Sequence, residues 1–278
     1  MPNDPAQVDV VAHQDDHDLG LAHDMPRLIG RRRMLRLMAA AGGCAVTGAP
    51  AFGRDHCVPV QAGRVASFPA GSQPLVRQAH DVLDDIGVIR SDMRRSFAGM
   101  VSVAKGVQLD CELELVSADA TCAPLGGCAI YLWHCDAMGR YSLYDIKDSN
   151  YLRAVGVVGA DGKVAFKTIF PGCYAGRWPH IHFEVFKSVI DAVSGARPVL
   201  ASQWAFSEKD CRAVYGADAR YGDGLKNLNR TSMRRDAVFR VATDQQMGMQ
   251  TMQMTGSPAT GYQGRLQIPI AASPLNAL

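Results

Sequence analysis

From Val107 to Leu115 the chain alternates without a break. Val107, Leu109, Cys111, Leu113 and Leu115 are separated by Gln108, Asp110, Glu112 and Glu114. A period of two belongs to a strand, whose successive side chains point to opposite faces of a sheet. In a helix the same pattern would scatter its apolar residues around the whole circumference. The alternation returns in "KVAFKTIF", after the turn Gly159-Ala160-Asp161-Gly162, and in "HIHFEVF"; "GCAIYLWHCD" is apolar enough for a buried central strand. "RPVLASQWAF", "DAVFRVATD" and "GRLQIPIAA" add short runs between Gly, Asp and Pro turns. This spacing predicts an all-β fold, an antiparallel β-sandwich with long loops. One short N-terminal helix is expected in "QPLVRQAHDVLDDIGV", where the apolar residues fall at helical spacing.

The first fifty residues differ in kind. "MPNDPAQVDVVAHQDDHDLGLAHD" is rich in Asp and His and has no sustained period. Three arginines then precede an Ala- and Gly-rich apolar run, Met34 to Val46, which ends in Ala49-Pro50-Ala51. A positive region, a short apolar region and a small-x-small site form a secretory signal. Arg31-Arg32-Arg33-Met34-Leu35-Arg36 resembles a twin-arginine export signal. Residues 1–51 are therefore set apart as extension and signal, 52–278 as one β-sandwich domain, and the mature protein is expected outside the cytoplasm. Met25 is an alternative start that would leave residues 1–24 untranslated. The remaining chain is long enough for a full core. A net charge of +2 gives no reason to expect nucleic acid or a polybasic anchor, and no stretch reaches the ~18 apolar residues of a membrane span. Nothing in the pattern fixes an oligomeric state.

Export permits disulfides. Eight cysteines are present, without a C-x-x-C. Cys122 and Cys135 flank the run "APLGGCAIYLW" and are the best candidates for a bridge. The stretch "QQMGMQTMQMTG" carries Met247, Met249, Met252 and Met254. Soft thioethers can hold Cu(I); equally, Met fills gaps in a strand and loop.

In "RWPHIHFEVF" the alternation has a chemical meaning. His180, His182 and Glu184 share one face of the strand, and Ile181, Phe183 and Val185 share the other. Positions i and i+2 lie about 6.6 Å apart, close enough for two imidazoles to meet at one ion. Two histidines and a carboxylate would suit Fe(II), with Glu184 as the third ligand. The pair is also compatible with ordinary strand histidines.

The neighbouring segments narrow the choice. "YLWHCDAMGRYSLYD" lies upstream, and "PGCYAGRWPHIH" runs into the histidines. Together these motifs resemble the intradiol ring-cleavage dioxygenases, the family of catechol 1,2- and protocatechuate 3,4-dioxygenase, over roughly residues 88–205. The resemblance implies a ferric ion held by Tyr141, Tyr174, His180 and His182. Two phenolates and a hydroxide would neutralise Fe(III). It also implies a catechol-type substrate and O2 as partners, with cleavage between the two hydroxylated carbons to a cis,cis-muconate-type diacid. Tyr174 would leave the ion and act as a base. Arg177 would stabilise negative charge on the ring, and Gln203 would help hold the substrate. His134 and Trp133 belong to the same motif and read as strand packing. Ala154, Gly156, Val158, Gly159 and Cys173 depart from the family's usual pattern, so the ring substituents stay open. A different class of function is an exported β-sandwich binding module that kept the iron motif and lost catalysis.

Overall fold

The computed structural model describes residues 16–18, 20–28, 45–46, 59, 87–119 and 121–271. The expected helix in residues 73–88 falls almost wholly outside them. Ten strands are β1 (Ala45–Val46), β2 (Gln108–Ser117), β3 (Leu125–Gly126), β4 (Ala129–Trp133), β5 (Arg153–Val157), β6 (Lys163–Ile169), β7 (His180–Phe186), β8 (Leu200–Ala205), β9 (Gln253–Ser257) and β10 (Gly261–Ile270). Two four-stranded sheets, ordered β6-β2-β10-β9 and β5-β4-β7-β8, make the sandwich. Antiparallel pairing dominates, and β2 with β10 is a parallel exception across nine residue pairs.

The alternating residues do what their period requires. Leu109, Leu113 and Leu115 of β2 meet Ile130 and Leu132 of β4 and Ile181, Phe183 and Val185 of β7 in one core between the sheets. That leaves His180, His182 and Glu184 on the outer face of the second sheet, beside Tyr131 and Trp133 of β4. The outer face is covered, and this is why β4 and β7 are buried along their whole lengths.

Much of the cover comes from α1 (Leu21–Leu28). Leu21, Met25 and Leu28 pack with Tyr131, Trp133 and Val155. Asp24 forms an ion pair with Arg153 of β5 in which both side chains are essentially fully buried. Tyr131 Oη donates to the same carboxylate at 2.8 Å, and Tyr144 Oη at 2.5 Å. Part of the segment set apart as residues 1–51 thus packs against the domain. Residues 20–28 lie on the sheet, and β1 pairs with β3. Translation from Met25 would delete Asp24 and strand a buried guanidinium.

Four further helices are α2 (Val189–Ser194), α3 (Glu208–Ala217), α4 (Gly224–Leu228) and α5 (Asp244–Met249). The expected strand in "DAVFRVATD" is instead a 3-10 turn, Phe239–Val241, because Asp236 accepts from the N–H groups of Val238 and Phe239. The Met-rich stretch divides between α5 and β9, and Met252 is buried in the core. The suggested Cys122–Cys135 bridge does not form. Cys122 and Cys128 are disulfide-bonded, whereas Cys135 is a buried free thiol. Strand β4 separates residues 128 and 135, and at ~3.3 Å per residue it carries Cys135 about 20 Å toward the other end of the sheet.

Candidate metal centre

At that end of β4 and β7 four side chains converge. Tyr141 Oη lies 3.1 Å from His182 Nε2 and 3.4 Å from His180 Nε2. Tyr174 Oη lies 3.4 Å from His180 Nε2, and the two imidazole Nε2 atoms are 3.0 Å apart. Donor atoms around one ion at about 2.1 Å would be separated by roughly 3.0 Å along the edges of the polyhedron. The observed distances are compatible with one shared cation and also with hydrogen bonds among the four groups.

Each ligand candidate is placed by its own local device. β7 projects the histidines. Trp133, opposite His182 on β4, stacks on its ring at 4.6 Å and 11°. His180 Nδ1 donates to Trp178 O at 2.6 Å, which leaves a lone pair on Nε2 facing the phenols. The Tyr141 loop turns on Asp136, which accepts from the N–H groups of Met138 and Arg140 at 2.9 and 3.0 Å. The Tyr174 loop packs directly onto that turn. A Cβ on Gly172 would come within 2.6 Å of the Asp136 and Ala137 carbonyls, so only glycine lets the two tyrosine loops meet.

Electrostatics keep all four groups neutral in the absence of a cation. Burial pushes the Tyr141 and Tyr174 phenols above their usual range. Burial likewise lowers His180, helped by Arg177, and lowers His182 despite the opposing pull of Asp18. Neutral imidazoles are in the ligating state. The phenols need a strong positive charge to ionise, and a bound trivalent ion supplies one. Among the described residues no group of three or more His, Cys, Asp or Glu side chains is spaced to hold a metal. The donor set therefore depends on the tyrosines and matches hard Fe(III) in kind.

Arg177 and Gln203 lie beside the histidines. Gln203 is directly across from His182 in the β7–β8 register, with Nε2 at 3.0 Å from His182 Nδ1. Arg177 Nη2 donates to Gln203 Oε1 at 2.5 Å, and Arg177 Nε to Asp236 Oδ2 at 2.9 Å. For His182 to ligate through Nε2 its proton must sit on Nδ1, with the Gln203 amide turned to present its oxygen. Glu184 is elsewhere in function: Oε2 accepts from Leu21 N at 2.8 Å, and burial pushes the acid up to about 7. His134 is a hydrogen-bonded core residue, its Nε2 2.7 Å from Thr168 Oγ1.

Several participants had no signal in the sequence. Asp236 sits in a segment read as a strand, yet it is fully buried and holds both Arg177 and the Trp178 N–H. Trp133 does more than pack, since it walls the site. His17 and Asp18 come from the segment set outside the fold. His17 stacks on Tyr141 with ring centres 3.9 Å apart, and Asp18 Oδ1 lies 3.1 Å from His182 Nε2.

No family model and no curated protein matches the sequence. Solved structures do resemble it. An intradiol ring-cleavage dioxygenase from Tetranychus urticae superposes with a TM-score of 0.53 over 69% of this chain and 89% of that one, at 24% identity. A second dioxygenase crystal structure gives a TM-score of 0.54 at the same coverage and identity. On backbone architecture, the chain has the fold of the intradiol ring-cleavage dioxygenases.

Proposed function

We propose that this protein is an intradiol dioxygenase that uses Fe(III) and O2 to open a catechol-type ring to a cis,cis-muconate-type diacid. The supporting observation is the convergence of two phenols and two imidazoles, with neighbouring donor atoms 3.0–3.4 Å apart. Tyr141, Tyr174, His180 and His182 would hold the ion. Bound there, Fe(III) supplies a Lewis acid that orients the diol and draws electron density from the ring.

The protein's own groups divide the remaining work. Tyr174 is less buried than Tyr141 and lies on the more open side, where its phenolate can take a proton from the incoming diol. Arg177 keeps its charge because Tyr174 and Asp236 outweigh the effect of burial. Held by Asp236 and Gln203, it is a fixed cation that stabilises negative charge on the ring without reorganising. Gln203 lies between Arg177 and His182: its oxygen accepts from Arg177 in this arrangement, and turning the amide to accept from His182 Nδ1–H would leave Arg177 to Asp236. Trp133 shields the His182 ring and limits water at the site.

We also propose export through the twin-arginine-like segment at Arg31–Arg36, with that segment left uncleaved, since α1 and the turn before it pack on the second sheet. The disulfides at Cys122 and Cys128 support this, since such bonds persist outside the reducing cytosol. No helix among the described residues is long and apolar enough to cross a membrane.

The test is oxygen uptake by iron-loaded protein with a panel of substituted catechols, using 18O2 and mass spectrometry of the product. Incorporation of both labelled atoms into a ring-opened diacid is expected. Iron binding and catechol binding without oxygen uptake would instead identify a binding module.

A further inference from the structure

The side of the centre away from the sheet is filled by the chain itself. Residues Asp16–Asp18 form a single 3-10 turn, from which His17 and Asp18 reach the candidate ligands. The His17 ring lies on Tyr141 with planes 12° apart and meets Tyr174 and His182 edge-on at 5.9 and 6.5 Å. Asp18 Oδ1 is 3.1 Å from His182 Nε2, and its other oxygen is 3.9 Å from Arg177 Nη1. Trp133 Nε1 donates to His17 O at 2.7 Å. A flat ring against two phenols, followed by an anion between an imidazole and a guanidinium, places an aromatic ring and a negative charge where an aromatic diolate would put its own.

We propose that the His17–Asp18 turn is an intramolecular substrate mimic, a strap that competes with catechol-type diolates for the centre and swings aside when they bind. This rests on the reading of the centre given above. The structure separates strap from anchor. α1 is held by the buried Asp24–Arg153 pair and by the Leu21 N–H to Glu184. Between them is Gly20, at φ +77°, where a Cβ would overlap the Glu184 carboxylate. The Asp18 side chain is 21% exposed while that of Asp24 is 0% exposed, so the strap can leave at far lower cost than the helix. An occupant that closes the site nine-tenths of the time weakens apparent affinity about tenfold.

Iron-loaded wild type, Asp18→Asn and the double variant His17→Ala/Asp18→Asn are titrated with 4-nitrocatechol and followed by visible absorption. The double variant should bind about tenfold tighter or more, and Asp18→Asn should fall between. Hydrogen exchange of the wild type supplies a readout that needs no variant. On binding, amides of residues 16–18 should lose protection while those of residues 21–28 keep it. Unchanged or weaker affinity in both variants, or unchanged protection at residues 16–18, overturns the strap. A wild type without tyrosinate-to-iron colour overturns the assignment of the centre and the strap with it; colour with unaltered affinity overturns the strap alone.

Discussion

At the scale of single side chains, the centre consists of neutral groups that burial has prepared for a cation. Around them lies a charged girdle of Arg177, Asp236 and Asp18. Asp236 accepts from Arg177, Trp178 N, Val238 N and Phe239 N while fully buried. Asp236→Ala removes the fully buried counter-charge of Arg177 and leaves, among the described residues, the more exposed Asp18 at 3.9 Å. It should lower stability by about 3–5 kcal/mol, measured by urea unfolding, and loosen the guanidinium that the proposed reaction needs. The four side chains that converge, Tyr141, Tyr174, His180 and His182, could be picked out from "GRYS", "PGCY" and "PHIH" because neighbouring motif residues fixed their order. Asp236 could not, since its role depends on a contact with Arg177 across 59 residues of sequence. His17 and Asp18 were missed for a related reason: composition alone placed them in an expendable segment.

At the scale of elements, β7 and α1 meet through Glu184 and through the Asp24–Arg153 pair. Asp24→Ala leaves Arg153 buried without its carboxylate, at a cost of about 3–5 kcal/mol. Peptides covering residues 21–28 should then gain hydrogen exchange. Glu184 makes stability depend on pH. Its acid is pushed by burial, and by the nearby Asp24 charge, from 4.5 to about 7, while the Leu21 N–H partly opposes the rise. Across that window the folded chain keeps a proton that the unfolded chain has released. Stability from this group is therefore full below pH 4.5 and is lost as pH rises through about 7. The shift corresponds to about 3 kcal/mol at most. Glu184→Gln should flatten this part of the pH profile, and an identical slope in wild type and variant would contradict the account. Strands β2, β6 and β10 were legible because a period of two combined with one buried face leaves no alternative register, whereas β5 was not foreseen and "DAVFRVATD" was misread. The helices α3 to α5 and the turn at Phe239–Val241 were not, since their residues carry a mixed pattern; side-chain caps from Ser207 and Thr243 start α3 and α5.

At the scale of the whole molecule, the two sheets bury a core and gather the candidate centre on the outer face of one. The loop that bears Tyr141 and the loop that bears Tyr174 close over that face at one end. The Cys122 and Cys128 disulfides lie at the opposite end of β4. Peptide mapping after alkylation should find Cys111, Cys135, Cys173 and Cys211 reactive only once the protein is unfolded, and Cys122 and Cys128 only after reduction. Disulfide pairing was not readable from spacing, because Cys135 is close to Cys122 in sequence but is carried away by an extended strand. The visible spectrum of iron-loaded wild type beside Tyr141→Phe and Tyr174→Phe tests the central claim most directly. Two phenolates on Fe(III) predict a red-brown charge-transfer band in the wild type that weakens and shifts in each variant. A colourless wild type, or a band indifferent to both substitutions, would contradict it.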